Sequence, residues 1–180
     1  SISEDIKKDE AEKVENIDYK MVTFSLAGKD YGIDIMKVKE ISKASRFTHV
    51  PNADAYVRGV YNLRGDIISV IDLRIMFNLP ARKQEDSDIE NMIILRLDDY
   101  QIGVLVDSID KVVGINSEEI QPPHPIFGDI NIRFIEGVVE HEESLYLILD
   151  VERIFGQHEE AGASAQPAPS LVRDEAESGE

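Results

Sequence analysis

The chain of 180 residues contains no cysteine, so it has no disulfide framework and no thiolate to bind a metal or attack a substrate. Positive charge is also scarce. Nineteen lysines and arginines stand against 36 aspartates and glutamates, a formal net charge of −17. Repulsion from phosphate then opposes the counterion release that drives nucleic-acid binding, so no nucleic acid is expected as a partner. The same repulsion disfavours an anionic membrane surface. No apolar run approaches the roughly 18 residues of a membrane span, and the opening Ser1-Ile-Ser-Glu-Asp-Ile-Lys-Lys8 lacks the apolar centre of a signal peptide. A cytosolic protein without direct membrane insertion is expected.

Motifs that carry chemistry are missing too. His49, His124, His141 and His158 lie in unrelated contexts without metal-ligand spacing, so no metal site is expected. There is no G-x-S-x-G elbow and no phosphate-cradling G-x-x-x-x-G-K-[ST] loop. The adjacent acids Asp98-Asp99 and Glu118-Glu119 read as a turn and a helix start, the latter N-capped by Ser117. No catalytic residue and no cofactor are expected.

What the chain does have is a core and a repeat. Its 42% hydrophobic content supports one globular domain or two small ones with polar ends. Residues 157–180 hold six acids and one base with almost nothing large and apolar to bury, so an acidic disordered tail is expected there. Residues 1–18 read as a flexible arm in which Ile2, Ile6, Val14 and Ile17 can form a transient helix. The folded body is expected over 19–156.

That body is a duplication. At an offset of 71, Val22, Phe24 and Leu26 fall on Ile93, Leu95 and Leu97, and Tyr31-Gly-Ile-Asp-Ile35 falls on Ile102-Gly-Val-Leu-Val106. At an offset of 78, Tyr56-Val-Arg-Gly-Val60 falls on Phe134-Ile-Glu-Gly-Val138, and Ile67, Val70, Ile71, Asp72 and Phe77 fall on Leu145, Ile148, Leu149, Asp150 and Phe155. Copy one spans about 19–80 and copy two about 90–156, the second carrying seven more residues around Pro122-Pro-His-Pro125. Met21-Val-Thr-Phe-Ser-Leu26 alternates with period two, and turn signals follow at Gly28-Lys-Asp30 and Asp98-Asp99. About five strands per copy predict a mainly β fold of two small tandem barrels. Each copy ends in a short helix, with Asp72 and Asp150 as N-caps and Asn78 and Gly156 as left-handed C′ residues. Ile67-Ile-Ser-Val-Ile71 is apolar on both faces, as a strand trapped between two barrels, or a barrel and its helix, would be.

The copies part at one hairpin tip. Copy one reads Asn62-Leu-Arg-Gly-Asp66 where copy two reads Glu140-His-Glu-Glu-Ser144. Turn formation explains Gly65 and Asp66. It leaves Asn62, Leu63 and Arg64 unexplained. Arg64-Gly-Asp66 also spells an adhesion tripeptide, a reading that the lack of an export signal does not support.

Four stretches, Tyr31-Gly-Ile-Asp-Ile-Met-Lys-Val-Lys-Glu-Ile41, Val57-Arg-Gly-Val-Tyr-Asn-Leu-Arg-Gly65, Val70-Ile-Asp-Leu-Arg74 and Gly103-Val-Leu-Val-Asp107, together resemble the CheW family, the coupling proteins of bacterial chemotaxis. The resemblance runs from about Val22 to Phe155 and implies two five-stranded barrels with a shared core. It further implies a non-catalytic adaptor joining the cytoplasmic tips of methyl-accepting chemoreceptors to the regulatory domain of a CheA-type histidine kinase, at the cytoplasmic face in receptor arrays. By motif match, Val38, Glu40, Arg64 and Ile93 fall on the family's receptor-facing groove, and Ile35 and Gly59 fall where the kinase is contacted. A regulatory fragment of a larger signalling protein, CheA or CheV, is the rival reading, opposed by the absence of any receiver, dimerisation or nucleotide-binding segment.

Overall fold

A computed structural model describes residues 1–80, 89–124 and 131–156, with only the backbone described for 9–15. Among the described residues, ten strands form two five-stranded sheets. In chain order they are β1 (Tyr19–Leu26), β2 (Lys29–Asp34), β3 (Val38–Ala44), β4 (Val57–Leu63), β5 (Asp66–Asp72), β6 (Glu90–Arg96), β7 (Gln101–Val106), β8 (Ser108–Ile115), β9 (Ile135–His141) and β10 (Ser144–Leu149). The described residues also form three α-helices: α1 (Ile2–Glu15), α2 (Leu73–Met76) and α3 (Val151–Phe155). The arm before β1 is thus helical, and the expected acidic tail lies outside the described residues.

The sheets do not coincide with the copies. One runs β8-β1-β2-β10-β9 and the other β3-β6-β7-β5-β4. Each copy lends its first hairpin to the sheet built by the last three strands of the other, and adding five to every strand number converts one order into the other. Parallel pairing of β10 with β2, and of β5 with β7, stitches in the borrowed hairpin. Chain just beyond β3 and β8 then returns to the opposite edge strand: Thr48 exchanges two backbone hydrogen bonds with Val60 of β4 (2.9 and 2.8 Å), and Gln121 does the same with Val138 of β9 (both 2.8 Å). Each sheet is closed into a small barrel by this seam.

Gly59 explains itself at the first seam. Its φ is +148°, and a Cβ there would lie 2.3 Å from the carbonyl oxygen of Thr48. Only glycine lets the returning backbone come so close. Its counterpart Gly137 faces the second seam, where a Cβ would meet Ile120 Cγ2 at 2.4 Å and the Gln121 carbonyl oxygen at 2.9 Å.

Among the described residues, three apolar clusters form the core. Ala44, Leu63, Ile68, Val70, Met92 and Leu105 line one barrel interior, and Met21, Val113, Ile115, Val139, Tyr146 and Ile148 line the other. The third and largest is shared, drawing Val22, Phe24, Tyr31, Ile93, Leu95 and Phe155 with others from both sheets. Strand β5 shows the division. Val70 points into its barrel and Ile71 into the shared core, while Ile67 and Ser69 are exposed. The strand expected to be trapped on both faces is trapped only at its C-terminal end.

Local chemistry follows the sequence in most places. Asp72 accepts from the N–H groups of Arg74 and Ile75 at the start of α2, and Asp150 from that of Arg153 at the start of α3. Asn78 is left-handed at φ 57°, whereas Gly156 is not, at φ −86°. Its N–H instead donates to the Glu152 carbonyl at 2.7 Å, so α3 ends by continuing its turn. The first hairpin turns at Ala27-Gly28, one residue earlier than expected, with Leu26 paired to Lys29. The short 3-10 turn at Ser117–Glu119 is capped by Asn116, whose side chain accepts from Glu118 N–H, while Ser117 binds Asp18.

Candidate docking surface

The tip between β4 and β5 is a two-residue turn, with Arg64 at φ 50° and Gly65 at φ 94°. Both central residues are left-handed, the mirror-image turn whose twist matches flanking strands. Asn62 Oδ1 accepts from Gly65 N–H at 2.8 Å, Leu63 is buried, and Asp66 is the first residue of β5, opposite Leu63. The residues that turn chemistry left over are therefore accounted for: Asn62 braces the turn, Leu63 fills the barrel, and Arg64 presents its side chain. The tip opposite, between β9 and β10, has the same geometry with Glu142 at φ 47° and Glu143 at φ 70°.

The exposed guanidinium of Arg64 hydrogen-bonds the carboxylate of Glu40 on β3. Two of the sequence-picked residues are thus in direct contact, 24 positions apart in the chain. Next to Glu40, β3 carries a β-bulge between Val38 and Glu40 in its pairing with β6, a device that re-aims side chains. Val38 is half-buried against the shared core. Ile93 is completely buried and sits directly across from Ile41, which is exposed. Opposed residues on paired strands share a face, so Ile93 forms the floor and Ile41 the surface where the shared core reaches solvent. Sequence reasoning named the floor and missed Ile41. The signal was available in the period-two pattern of β3, which puts Lys39, Ile41 and Lys43 on alternate positions.

The two other picked residues lie elsewhere in the fold. Ile35 opens a 3-10 turn, Ile35–Lys37, that links β2 of one barrel to β3 of the other, and it packs partly buried on the shared core. Gly59 is buried at the seam, so any partner there meets the backbone and side chains around it.

Three ion-pair systems hold these elements in place. Arg58 of β4 reaches Asp72, the cap of α2, at 2.7 Å and also Glu90 of β6. Burial opposes its charge, but the two carboxylates more than offset this and raise its pKa. Arg74 of α2 makes a two-pronged pair with Asp107, Nε to Oδ1 at 2.7 Å and a terminal nitrogen to Oδ2 at 2.6 Å, and Asp107 also accepts from Ala27 N–H at 2.8 Å. Hydrogen bonding to Asp107 raises the Arg74 pKa against burial. Lys37 pairs with Glu152 of α3 at 2.8 Å, which raises the lysine pKa. Arg74 and Asp107 were visible in the sequence only as parts of family-like stretches; their contact joins the two copies just beyond the paired ends of β5 and β7. No group of three or more His, Cys, Asp or Glu side chains able to hold a metal is present among the described residues. No described helix is long and apolar enough to cross a membrane.

Two interlocked barrels around a shared core, with paired charges at a strand-and-hairpin rim, define a double-barrel interaction domain. A match to the CheW-like domain covers residues 20–159, and the chain belongs to that family of chemotaxis scaffold and coupling proteins. It is 36% identical over 143 residues to the chemotaxis protein CheW of Treponema pallidum, covering 78% of this chain and 84% of that one. Against the CheW of Bacillus subtilis it is 36% identical over 149 residues, covering 82% and 92%. The crystal structure of the scaffolding protein CheW from Thermoanaerobacter tengcongensis superposes with a TM-score of 0.66 at 33% identity, covering 73% of this chain and 88% of that one.

Proposed function

We infer that this chain is a non-catalytic cytoplasmic adaptor that couples the cytoplasmic tips of methyl-accepting chemoreceptors to the regulatory domain of a CheA-type histidine kinase in signalling arrays. The observation that carries this reading, beside family membership, is the contact of Arg64 with Glu40 of β3, next in sequence to the exposed Ile41 that stands opposite Ile93 of the shared core. A receptor helix laid there would bury an aliphatic contact and could take over the Arg64 guanidinium, whose planar fork suits carboxylate or carbonyl oxygens. Val38 and Ile93 support the rim from beneath. Ile35 and the seam at Gly59 are assigned to the kinase. Contacts of this kind are modest singly and gain strength when tethered together.

The test measures two binding constants by calorimetry, one for a receptor helical-hairpin fragment and one for the kinase regulatory domain. Arg64→Ala is expected to weaken the receptor by about 1–3 kcal/mol with kinase affinity kept. Ile35→Asp is expected to do the reverse, provided the variant remains folded. Equal loss of both partners, or of neither, sinks the surface assignment.

A further inference from the structure

The duplication places a second copy of the rim on the other barrel, with its charges inverted. Position 40 corresponds to 111 and position 64 to 142, and there Lys111 of β8 pairs with Glu142 of the β9–β10 tip at 3.6 Å. The bulge recurs, between the pairs Val22/Val112 and Phe24/Ile109, and Thr23 pins it by exchanging hydrogen bonds of 2.7 and 3.1 Å with the Lys111 backbone. The exposed aliphatics recur as well. Ile41 at 49% exposure corresponds to Val112 at 51%, and Ile67 at 71% to Leu145 at 42%. Val112 lies directly across from Val22 of the shared core, as Ile41 lies across from Ile93, so the core reaches solvent a second time.

The surroundings differ in sign. Residues 37–46 and 61–67 hold five bases and two acids, net +3; the corresponding 108–117 and 139–145 hold one base and four acids, net −3. The second tip is also strained. Glu142 and Glu143 are both left-handed where the first copy relaxes one such position with Gly65. Side chains kept in that conformation against its cost, of order 1–3 kcal/mol each, point to work done by the side chains.

We propose that the rim formed by Lys111, Val112, Glu140, Glu142, Glu143 and Leu145 is a second docking surface, and that its occupant is a basic amphipathic helix with aliphatic residues flanked by lysine or arginine. This extends the reading of the first rim as a helix site and rests on it. Aliphatic contact with Val112 and Leu145 supplies the burial, and the three glutamates select the sign of the partner. The inversion keeps the two rims from competing for one ligand.

The experiment titrates isotope-labelled full chain with a designed helical peptide of about 18 residues built from leucine and lysine, and with its leucine–glutamate counterpart. Backbone amide shifts are expected to cluster on β8 and the β9–β10 tip for the basic peptide only. Glu142→Lys with Glu143→Lys should weaken it by about tenfold, and Leu145→Ser by about threefold. The charge-matched Asp99→Lys with Glu118→Lys should change it by less than about twofold. Equal weakening by that control, indifference to Leu145→Ser, or shifts spread over all acidic loops would each overturn the proposal, leaving only diffuse attraction to an acidic protein. Receptor-fragment affinity measured on the same variants separates the two rims: its loss on Arg64→Ala and survival on Glu142→Lys with Glu143→Lys is expected, and loss on both overturns the assignment of separate surfaces.

Discussion

The two barrels share a backbone plan and disagree about charge. Three arginines of copy one, Arg58, Arg64 and Arg74, correspond at the offset of 78 to Glu136, Glu142 and Glu152. Each arginine has a carboxylate partner, and Glu142 and Glu152 have lysine partners in near-equivalent places. Glu136 is different. It sits among Asp150 and Asp34 where Arg58 sits among Asp72 and Glu90, and desolvation followed by those two acids raises its pKa. Packing residues have been kept by both copies because they face a common core, while rim residues were free to diverge in sign. Geometry is inherited and recognition is not.

The largest effect that would break this symmetry is expected at the seams. Gly59→Ala forces a Cβ against backbone and a positive φ, so a loss of about 3–5 kcal/mol is expected. Gly137→Ala crowds the Ile120 methyl at 2.4 Å and the Gln121 carbonyl oxygen at 2.9 Å but needs no positive φ, so about 1–3 kcal/mol is expected. Chemical denaturation of both variants measures the difference, and equal losses would mean that the two seams are mechanically alike.

Next come the braces. Arg74→Met leaves the half-buried Asp107 without its two-pronged partner and should cost about 2–3 kcal/mol. Glu152→Met breaks a more exposed pair and should cost less than about 1 kcal/mol. A reversed order in thermal melting would refute the view that the Arg74–Asp107 pair is the stronger of the two clamps.

A smaller, pH-dependent effect is expected at Glu136. A carboxyl whose folded pKa is raised contributes stability below its unfolded pKa, and that contribution is lost as pH rises through the folded value. Glu136→Gln should therefore raise the melting temperature at neutral pH, with the gain vanishing below the ordinary carboxylate range. A gain that persists in acid would point to packing instead.

The smallest effect is expected at the tips. Arg64→Ala and Glu142→Ala each remove an exposed ion pair and should change stability by less than about 0.5 kcal/mol. A fall of several degrees in melting temperature for Arg64→Ala would make it a brace of the hairpin and count against its docking role.

Much of this was legible in the sequence. Alternation, turn signals and the matching offsets gave about five strands per copy, the terminal helices and their aspartate caps, because each rests on local pattern. Who pairs with whom was not legible. Period two marks Met21–Leu26 as a strand but is silent on its neighbour, β8, almost ninety residues away. The Arg74–Asp107 and Arg64–Glu40 contacts were hidden for the same reason. Ile93 was placed in the receptor-facing groove by motif match, which carries no exposure, and it is completely buried; Ile67 was read as buried because an apolar side chain does not declare its face, and it is exposed. Gly156 was read as left-handed from its residue type and its place at the end of the terminal helix, although glycine permits that conformation without requiring it.

The exchanged hairpins also have a meaning for how such a chain is made. Among the ten described strands, β1 and β2 come earliest in the chain, yet the strands that flank them, β8 and β10, both belong to the last three. The first barrel to begin is the last to close, so half a chain holds an open sheet edge with hydrophobic faces uncovered, and folding waits on contacts of long sequence separation. Cut between Pro80 and Ile89, the two halves would each lack the strands that complete their sheets. They would find completion only in one another, which is the arrangement of a hairpin-swapped dimer whose two protomers have been written into a single gene.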